Sequence, residues 1–100
     1  MGEQIYCNGE DAARALHAAW NRWCRWYAGI TNDPHVRLAL HQVDPKSGNY
    51  DWVRCTSESV ARDAADWLHA LGYQGGPGGG QGDAEFVYIY LITEETREEG

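Results

Sequence analysis

The fold is decided by residues 27–41, which read Tyr27-Ala28-Gly29-Ile30-Thr31-Asn32-Asp33-Pro34-His35-Val36-Arg37-Leu38-Ala39-Leu40-His41. Residues 26–31 have short, β-compatible chemistry and predict a strand. Asp33 can accept hydrogen bonds from the free N–H groups at a helix start, and Pro34 suits the first helical position. Arg37 and His41 follow at i, i+4 spacing, so both side chains leave the predicted helix on one face.

This stretch resembles the second half of the GIY-YIG nuclease signature, in which a tyrosine-x-glycine strand runs through a Thr-x-Asn type turn into a helix bearing an arginine and then a histidine. The matching residues are Tyr27, Gly29, Thr31, Arg37 and His41, with Ala28 where isoleucine or valine is usual. The resemblance implies a small α/β domain with an antiparallel sheet. It also implies metal-dependent cleavage of phosphodiester bonds.

Hydrolysis of a phosphodiester needs an activated water, charge stabilisation on the phosphoryl oxygens and a metal ion that helps the leaving group. By position in the resembling family, Tyr27 would assist the nucleophile and Arg37 would bind the phosphate. His41 would support both residues from the same helix face.

The family also supplies a tyrosine from a strand beside the first, about ten residues upstream, where this chain has a tryptophan-rich helical pattern instead. Two replacements are open. Either Ile5-Tyr6 provides the tyrosine, or the C-terminal strand with Tyr88 and Tyr90 lies beside residues 26–31. We favour the second arrangement, with Tyr88 as the catalytic tyrosine of an active enzyme.

The resemblance further implies a metal-binding glutamate in the third helix, at a place where this chain has alanine. Asp63 and Asp66 are the nearest carboxylates and therefore the candidate metal ligands, while Glu58 and Glu85 are substitutes that the sequence does not place. A ligand misplaced by about 1 Å can cost on the order of 100-fold in rate. The expected cofactor is therefore none, or Mg²⁺ or Mn²⁺ in the case of a nuclease.

The charge balance bears on the partner. A net charge of −7, from eight basic and fifteen acidic residues, argues against strong sequence-independent attraction to nucleic-acid phosphates. Five arginines nevertheless lie between Arg14 and Arg54, so a local basic face can persist on an acidic molecule. A protein partner is expected, and nucleic acid is the alternative through the local arginine face.

The cysteine pattern indicates the compartment. Cys7, Cys24 and Cys55 are odd in number and lack the paired spacing of zinc ribbons, which is typical of reduced thiols in a cytoplasmic protein. A Cys/His metal site that includes His41 is an alternative. The N-terminus has no basic-then-apolar signal and no apolar run reaches about 18 residues, so neither secretion nor membrane spanning is expected.

Three helices are predicted from apolar residues that recur at helical spacing. The first begins at Gly9, with Asn8 as its cap, and buries Ala12, Leu16, Ala19, Trp20 and Trp23. The second runs from about Pro34 to Gln42 and buries Leu38 together with either Val36 or Leu40. The third begins with the capping sequence Thr56-Ser57-Glu58-Ser59, follows Val60, Ala64, Trp67, Leu68 and Leu71, and ends at Gly72.

Strands are predicted at residues 4–7, 26–31, 50–55 and 84–93. Residues 84–93 are apolar on both faces, which indicates a central strand. In residues 50–55 the side chains of Tyr50, Trp52 and Arg54 share one face. Together with the helices, these strands predict an α+β (α/β) fold with a small, mostly antiparallel sheet of three to four strands flanked by three helices.

Residues 1–93 are expected to form one domain, because a chain of this length supports one modest core. Within it, the glycine-rich residues 74–83 predict a surface loop, since a phosphate-cradling loop would need a helix start and usually a lysine after the glycines. Residues 94–100 carry four glutamates and predict a solvated acidic tail.

These patterns support three functions. The leading hypothesis is a GIY-YIG-like domain with an incomplete catalytic set that binds protein as an inhibitor or adaptor, of a kind that would suit a phage or mobile element. The alternative is a magnesium- or manganese-dependent nuclease that cleaves DNA or RNA. A third hypothesis is a structural subunit that oligomerises through the glycine-rich loop and the edge of the C-terminal strand.

Overall fold

The structure, a computed structural model, describes residues 5–18, 25–46, 48–75 and 84–98. Its elements in chain order are β1 (Ile5–Tyr6), α1 (Gly9–His17), β2 (Trp26–Thr31), α2 (Pro34–Leu40), β3 (Tyr50–Cys55), α3 (Glu58–Ala70) and β4 (Phe86–Leu91). Ala19, Trp20 and Trp23 of the first predicted helix, and the glycine-rich loop beyond Gly75, lie outside the described residues.

The strands form one four-stranded sheet in the order β1-β3-β4-β2. β1 is parallel to β3, while β4 is antiparallel to both β3 and β2. The predicted α+β fold, with a mostly antiparallel sheet and three helices, is therefore confirmed. β4 is central, as its apolar residues on both faces predicted, so neither of its edges is free to mediate oligomerisation.

Side-chain caps start each helix where the sequence predicted. The Asn8 side chain accepts a hydrogen bond from the Asp11 N–H, and Ser57 accepts one from the Val60 N–H. Asp33 accepts from the N–H groups of His35 and Val36, with Pro34 in the first turn. Because these caps satisfy N–H groups that have no partner within the helix, they fix the helix starts.

Helices α1 and α3 pack together on one face of the sheet. Their facing surfaces are alanine-rich, and the buried helix residues are Ala12, Ala13, Leu16, Ala61, Ala64, Ala65 and Leu68. The predicted stripe of α3 is wrong at two positions, because Trp67 and Leu71 are 42% and 47% exposed. Small side chains allow the closest approach of two helices, so α3 turns its alanines toward α1 and leaves these larger residues outside.

Helix α2 lies on the opposite face of the sheet, where Leu38 packs with Val43, Tyr88 and Tyr90. The prediction that Val36 or Leu40 is also buried is wrong, since they are 56% and 53% exposed. α2 is only seven residues long, and the next inward position after Leu38 is taken by His41. Its outer face is therefore apolar and open.

Among the described residues, no helix combines the length and apolar character that crossing a membrane requires.

Candidate functional site

The face of the sheet that α2 covers carries a cluster of rings, here called the Tyr/His cluster, formed by Tyr27, His41, Tyr88 and Tyr90. The Tyr27 ring lies 4.9 Å from His41 and 5.1 Å from Tyr90, measured between centroids. Tyr88 and Tyr90 stack almost parallel, at an interplanar angle of 6°. The cluster joins β2, β4 and the end of α2.

Strand register brings these rings together. Tyr27 pairs with Tyr90, and Gly29 pairs with Tyr88, in the antiparallel ladder between β2 and β4. The C-terminal strand, rather than Ile5-Tyr6, thus lies beside β2, as favoured from the sequence. A Cβ atom on Gly29 would sit 2.6 Å from the Tyr88 hydroxyl oxygen, so glycine leaves the space in which the Tyr88 ring lies.

His41 is the centre of the hydrogen bonding. Its Nδ1 lies 2.5 Å from the carbonyl oxygen of Arg97 and its Nε2 lies 2.9 Å from the Tyr88 hydroxyl. Because a carbonyl oxygen can only accept, Nδ1–H donates to Arg97, and Nε2 of the neutral ring accepts from Tyr88. Burial is the main cause that lowers the pKa of His41, which favours this neutral form.

The C-terminal segment, residues 96–98, closes over the cluster. The Arg97 N–H donates to the His41 carbonyl oxygen at 2.6 Å. The hydroxyls of Tyr90 and Thr96 both donate to Oε2 of Glu98, at 3.1 and 2.8 Å. These residues therefore differ from the solvated tail that their composition predicted.

The tyrosines of the cluster are held in the protonated state. Burial raises the pKa of Tyr27, although the Arg37 charge acts in the opposite direction. Burial also raises the pKa of Tyr88 and of Tyr90, which are 3% and 0% exposed. A general base needs a pKa near the working pH, so these shifts oppose that role.

The predicted site residues Tyr27, His41 and Tyr88 meet on this face, with ring centroids 4.9–6.3 Å apart. Arg37 lies one turn before His41 on α2, and its charge acts to lower the pKa of all three. The carboxylate whose charge acts on Tyr27 and His41 is Glu98, which the sequence reasoning did not propose. The sequence holds one weak indication of this placement, which is the Thr93-x-x-Thr96 spacing. The Thr96 hydroxyl oxygen accepts a hydrogen bond from the Thr93 N–H, and this bond reverses the direction of the chain.

The candidate metal ligands Asp63 and Asp66 are exposed on α3, which packs with α1 on the other face of the sheet. Asp63 lies beside Gly9 at the start of α1, where an added Cβ would be 2.5 Å from Asp63 Oδ2. Glu58 pairs with Arg62, and Glu85 pairs with Arg54. Across the part of the chain that the structure describes, no group of three or more His, Cys, Asp or Glu side chains could hold a metal ion.

Two adjoining cavities lie between α2, the turn that follows it and the end of β4. The apolar cavity, of about 80 Å³, is lined by His35, Leu38, Ala39, Val43, Pro45 and Tyr50. The acidic cavity, of about 320 Å³, is lined by Gln42, Val43, Asp44, Asn49, Leu91, Thr93, Glu95 and Thr96. Val43 lines both cavities, so they lie on either side of one side chain, next to α2.

Comparison with known proteins gave no match, either to a protein-family model, to a curated protein or to a solved structure.

Proposed function

We propose that this chain is a non-catalytic, GIY-YIG-like binding domain that recognises another protein, as an inhibitor or adaptor does. One observation carries the proposal: both ring nitrogens of His41 are hydrogen-bonded inside the molecule, and its side chain is 1% exposed. A histidine held in this way orients the C-terminal segment and the tyrosines. At 1% exposure it offers almost no surface to a molecule in solution.

The other candidate catalytic groups support the same conclusion. The Tyr88 and Tyr90 hydroxyls bond to His41 and Glu98, and burial raises the pKa of both tyrosines. Oε2 of Glu98 accepts from both Tyr90 and Thr96, so that oxygen is engaged within the protein. The cluster therefore acts as an internal polar network that fixes one arrangement of α2 on the sheet.

The surface that we assign to binding is the outer face of α2. Val36 and Leu40 lie there at i, i+4 spacing, both more than half exposed, and Arg37 lies at the flank. Protein interfaces are enriched in apolar anchors and arginine, whereas a lone exposed apolar residue is ordinary. The apolar cavity beside Ala39 extends this face toward Tyr50. The cysteine pattern supports a cytoplasmic setting.

Affinity capture from host-cell extract, compared across matched variants, tests the proposal. Val36→Asp combined with Leu40→Asp should abolish capture of the main partner. Trp67→Asp combined with Leu71→Asp is the control, because that pair is exposed with the same spacing at the C-terminal end of α3, where Leu71 is the residue after the last helical one. Capture that survives the α2 pair, or fails equally with the α3 pair, contradicts the assignment of this face.

A metal-dependent nuclease is the second candidate, favoured by the meeting of Tyr27, Arg37 and a carboxylate. The residues present do not fit a Mg²⁺ or Mn²⁺ site well, because Glu98 already accepts two hydrogen bonds through Oε2 and the described residues hold no group of three or more His, Cys, Asp or Glu side chains that could bind a metal ion. Labelled single- and double-stranded DNA and RNA, incubated with each metal and with an Arg37→Ala variant alongside, decide between the candidates. Cleavage that disappears with Arg37→Ala would overturn the non-catalytic proposal.

A further inference from the structure

We infer that the acidic cavity receives a lysine or arginine side chain of the protein partner, so the partner presents a basic residue next to an apolar one. The inference rests on the proposed protein-binding function and adds the chemistry of what is bound. At about 320 Å³ the cavity lies at the small end of ligand pockets, which span roughly 300–1,000 Å³.

The lining matches a long basic side chain in two ways. Val43 and Leu91 offer an apolar wall for the methylene stem, and Asp44 and Glu95 line the same space. Their carboxylates accept from the Lys46 N–H at 2.9 Å and from the Thr93 hydroxyl at 3.4 Å, and a carboxylate has further lone pairs with which to accept from a cation. The remaining lining residues, Gln42, Asn49, Thr93 and Thr96, carry amide or hydroxyl oxygens. A guanidinium or ammonium group has only donors, so an oxygen-rich cavity is its complement.

The walls of the cavity are fixed before any ligand binds. The Leu91 N–H donates to the Asn49 carbonyl oxygen at 2.8 Å, and the Val43 N–H donates to that of Leu38 at 3.0 Å. The Thr93 hydroxyl oxygen accepts from the Glu95 N–H at 3.2 Å. The backbone around the cavity therefore needs little ordering on binding, and only the exposed lining side chains have to be fixed.

Charge favours a cation at this place. The same turns carry two basic residues, Lys46 and Arg97, and four acidic ones, Asp44, Glu94, Glu95 and Glu98, so the local balance is negative, and the whole chain carries a net charge of −7. Such a field attracts basic groups and is screened by salt. An organic cation suits the site better than a metal ion, because no metal-holding group of His, Cys, Asp or Glu occurs within the described ranges.

The apolar cavity determines what else the partner must provide. It shares Val43 with the acidic cavity and opens beside the exposed face of α2. A partner segment with an apolar side chain against Leu38 and Tyr50 and a basic side chain on the far side of Val43 would fill both cavities. Apolar anchors supply affinity and the charged neighbour supplies selectivity and orientation.

The test is an NMR titration of the full chain with Nα-acetyl-arginine amide, and with Nα-acetyl-citrulline amide as a near-isosteric neutral probe. The arginine probe should shift the amide signals of residues 42–44, 49 and 93–96, and the citrulline probe should leave them unchanged. Equal shifts with the two probes, or no shift with arginine, would overturn the inference.

Matched double variants distinguish binding of arginine in the cavity from attraction to the net negative charge of the protein. Asp44→Asn with Glu95→Gln should weaken arginine binding at least 5-fold. Asp11→Asn with Asp66→Asn removes the same charge from exposed positions on α1 and α3 and should change binding less than 2-fold. Equal weakening in both double variants refutes a specific cavity. This titration uses no protein partner, so its failure is distinguishable from failure of the capture experiment.

Discussion

Replacement of His41 is the sharpest test of whether the Tyr/His cluster is structural. His41→Ala removes the contacts with Arg97, Tyr88 and Tyr90 and leaves the hydroxyl of Tyr88, a residue that is 3% exposed, without its acceptor. An orphaned buried polar group costs about 1–3 kcal/mol, and the space left by a large buried side chain about 2–5 kcal/mol. Since the ring is partly polar, we expect a loss of about 3–5 kcal/mol in the free energy of unfolding.

That loss is large for a domain of this size, whose total stability is about 5–15 kcal/mol. Thermal unfolding followed by tryptophan fluorescence should show the midpoint fall by roughly 12–24 °C for a loss of 3 kcal/mol, at about 4–8 °C per kcal/mol for a small domain. His41→Gln retains one donor and one acceptor and should lose less.

His35→Ala is the control, because it removes the same ring from an exposed position of α2 and should cost about 1 kcal/mol or less. A double-mutant cycle refines the test: Tyr88→Phe removes the hydroxyl that His41→Ala orphans, so the double variant should be about 1 kcal/mol more stable than the sum of the single losses. Stability of His41→Ala equal to that of His35→Ala would refute the structural role.

Three further predictions concern pH and single positions. Burial lowers the pKa of His41 in the folded protein below 6.5, so the unfolded chain binds more protons under acidic conditions. The free energy of unfolding should therefore be highest above about pH 6.5 and should fall below that pH by at most about 1.4 kcal/mol per pH unit. An NMR titration that gives His41 a pKa at or above 6.5 in the folded protein would contradict this prediction. Gln42 has a φ of 60°, which strains any residue except glycine. Gln42→Gly should therefore raise the free energy of unfolding, measured by urea denaturation, by about 0.5–1 kcal/mol. A lower free energy of unfolding would show that contacts of the Gln42 side chain outweigh the backbone strain. Gly29→Ala should cost about 2 kcal/mol and shift the Tyr88 ring signals in NMR spectra, and an unchanged Tyr88 environment would refute the close approach.

The sequence predicted those parts of the fold that depend on local chemistry. Caps at Asn8, Asp33 and Ser57 fixed the helix starts, because a side-chain acceptor is needed within three residues of the N–H groups it satisfies. The two-sided apolar pattern of β4 predicted its central place. Both are properties of a few adjacent residues.

Helix rotation was less predictable. The apolar period of α3 allowed Trp67 and Leu71 to face inward, but packing against α1 selected the alanines instead, and hydrophobicity alone does not measure how closely two helices approach. In α2 the inward position after Leu38 is filled by a histidine. Only its partners on other elements make that burial favourable.

The sequence predicted only those parts of the candidate site that lie close together along the chain. Tyr27, Arg37 and His41 are close in sequence and arrive together on one strand-turn-helix unit. Glu98 reaches the cluster from the end of the chain, through contacts with Tyr90 and Thr96 that no local pattern encodes. Its charged neighbours made it look like part of a solvated tail.

The central place of β4 also determines when the sheet can form during protein synthesis. β2 and β3 do not pair with each other, and both form their antiparallel ladders on β4, which is the last of the four strands to be translated. At about 5–20 residues per second, β2 remains without its partner for several seconds after it is made. The emerging chain therefore holds two exposed strand edges until its last strand arrives and pairs with both. A stalled or truncated product that ends before Phe86 would expose the same edges permanently, and edge pairing with other chains is then its expected fate.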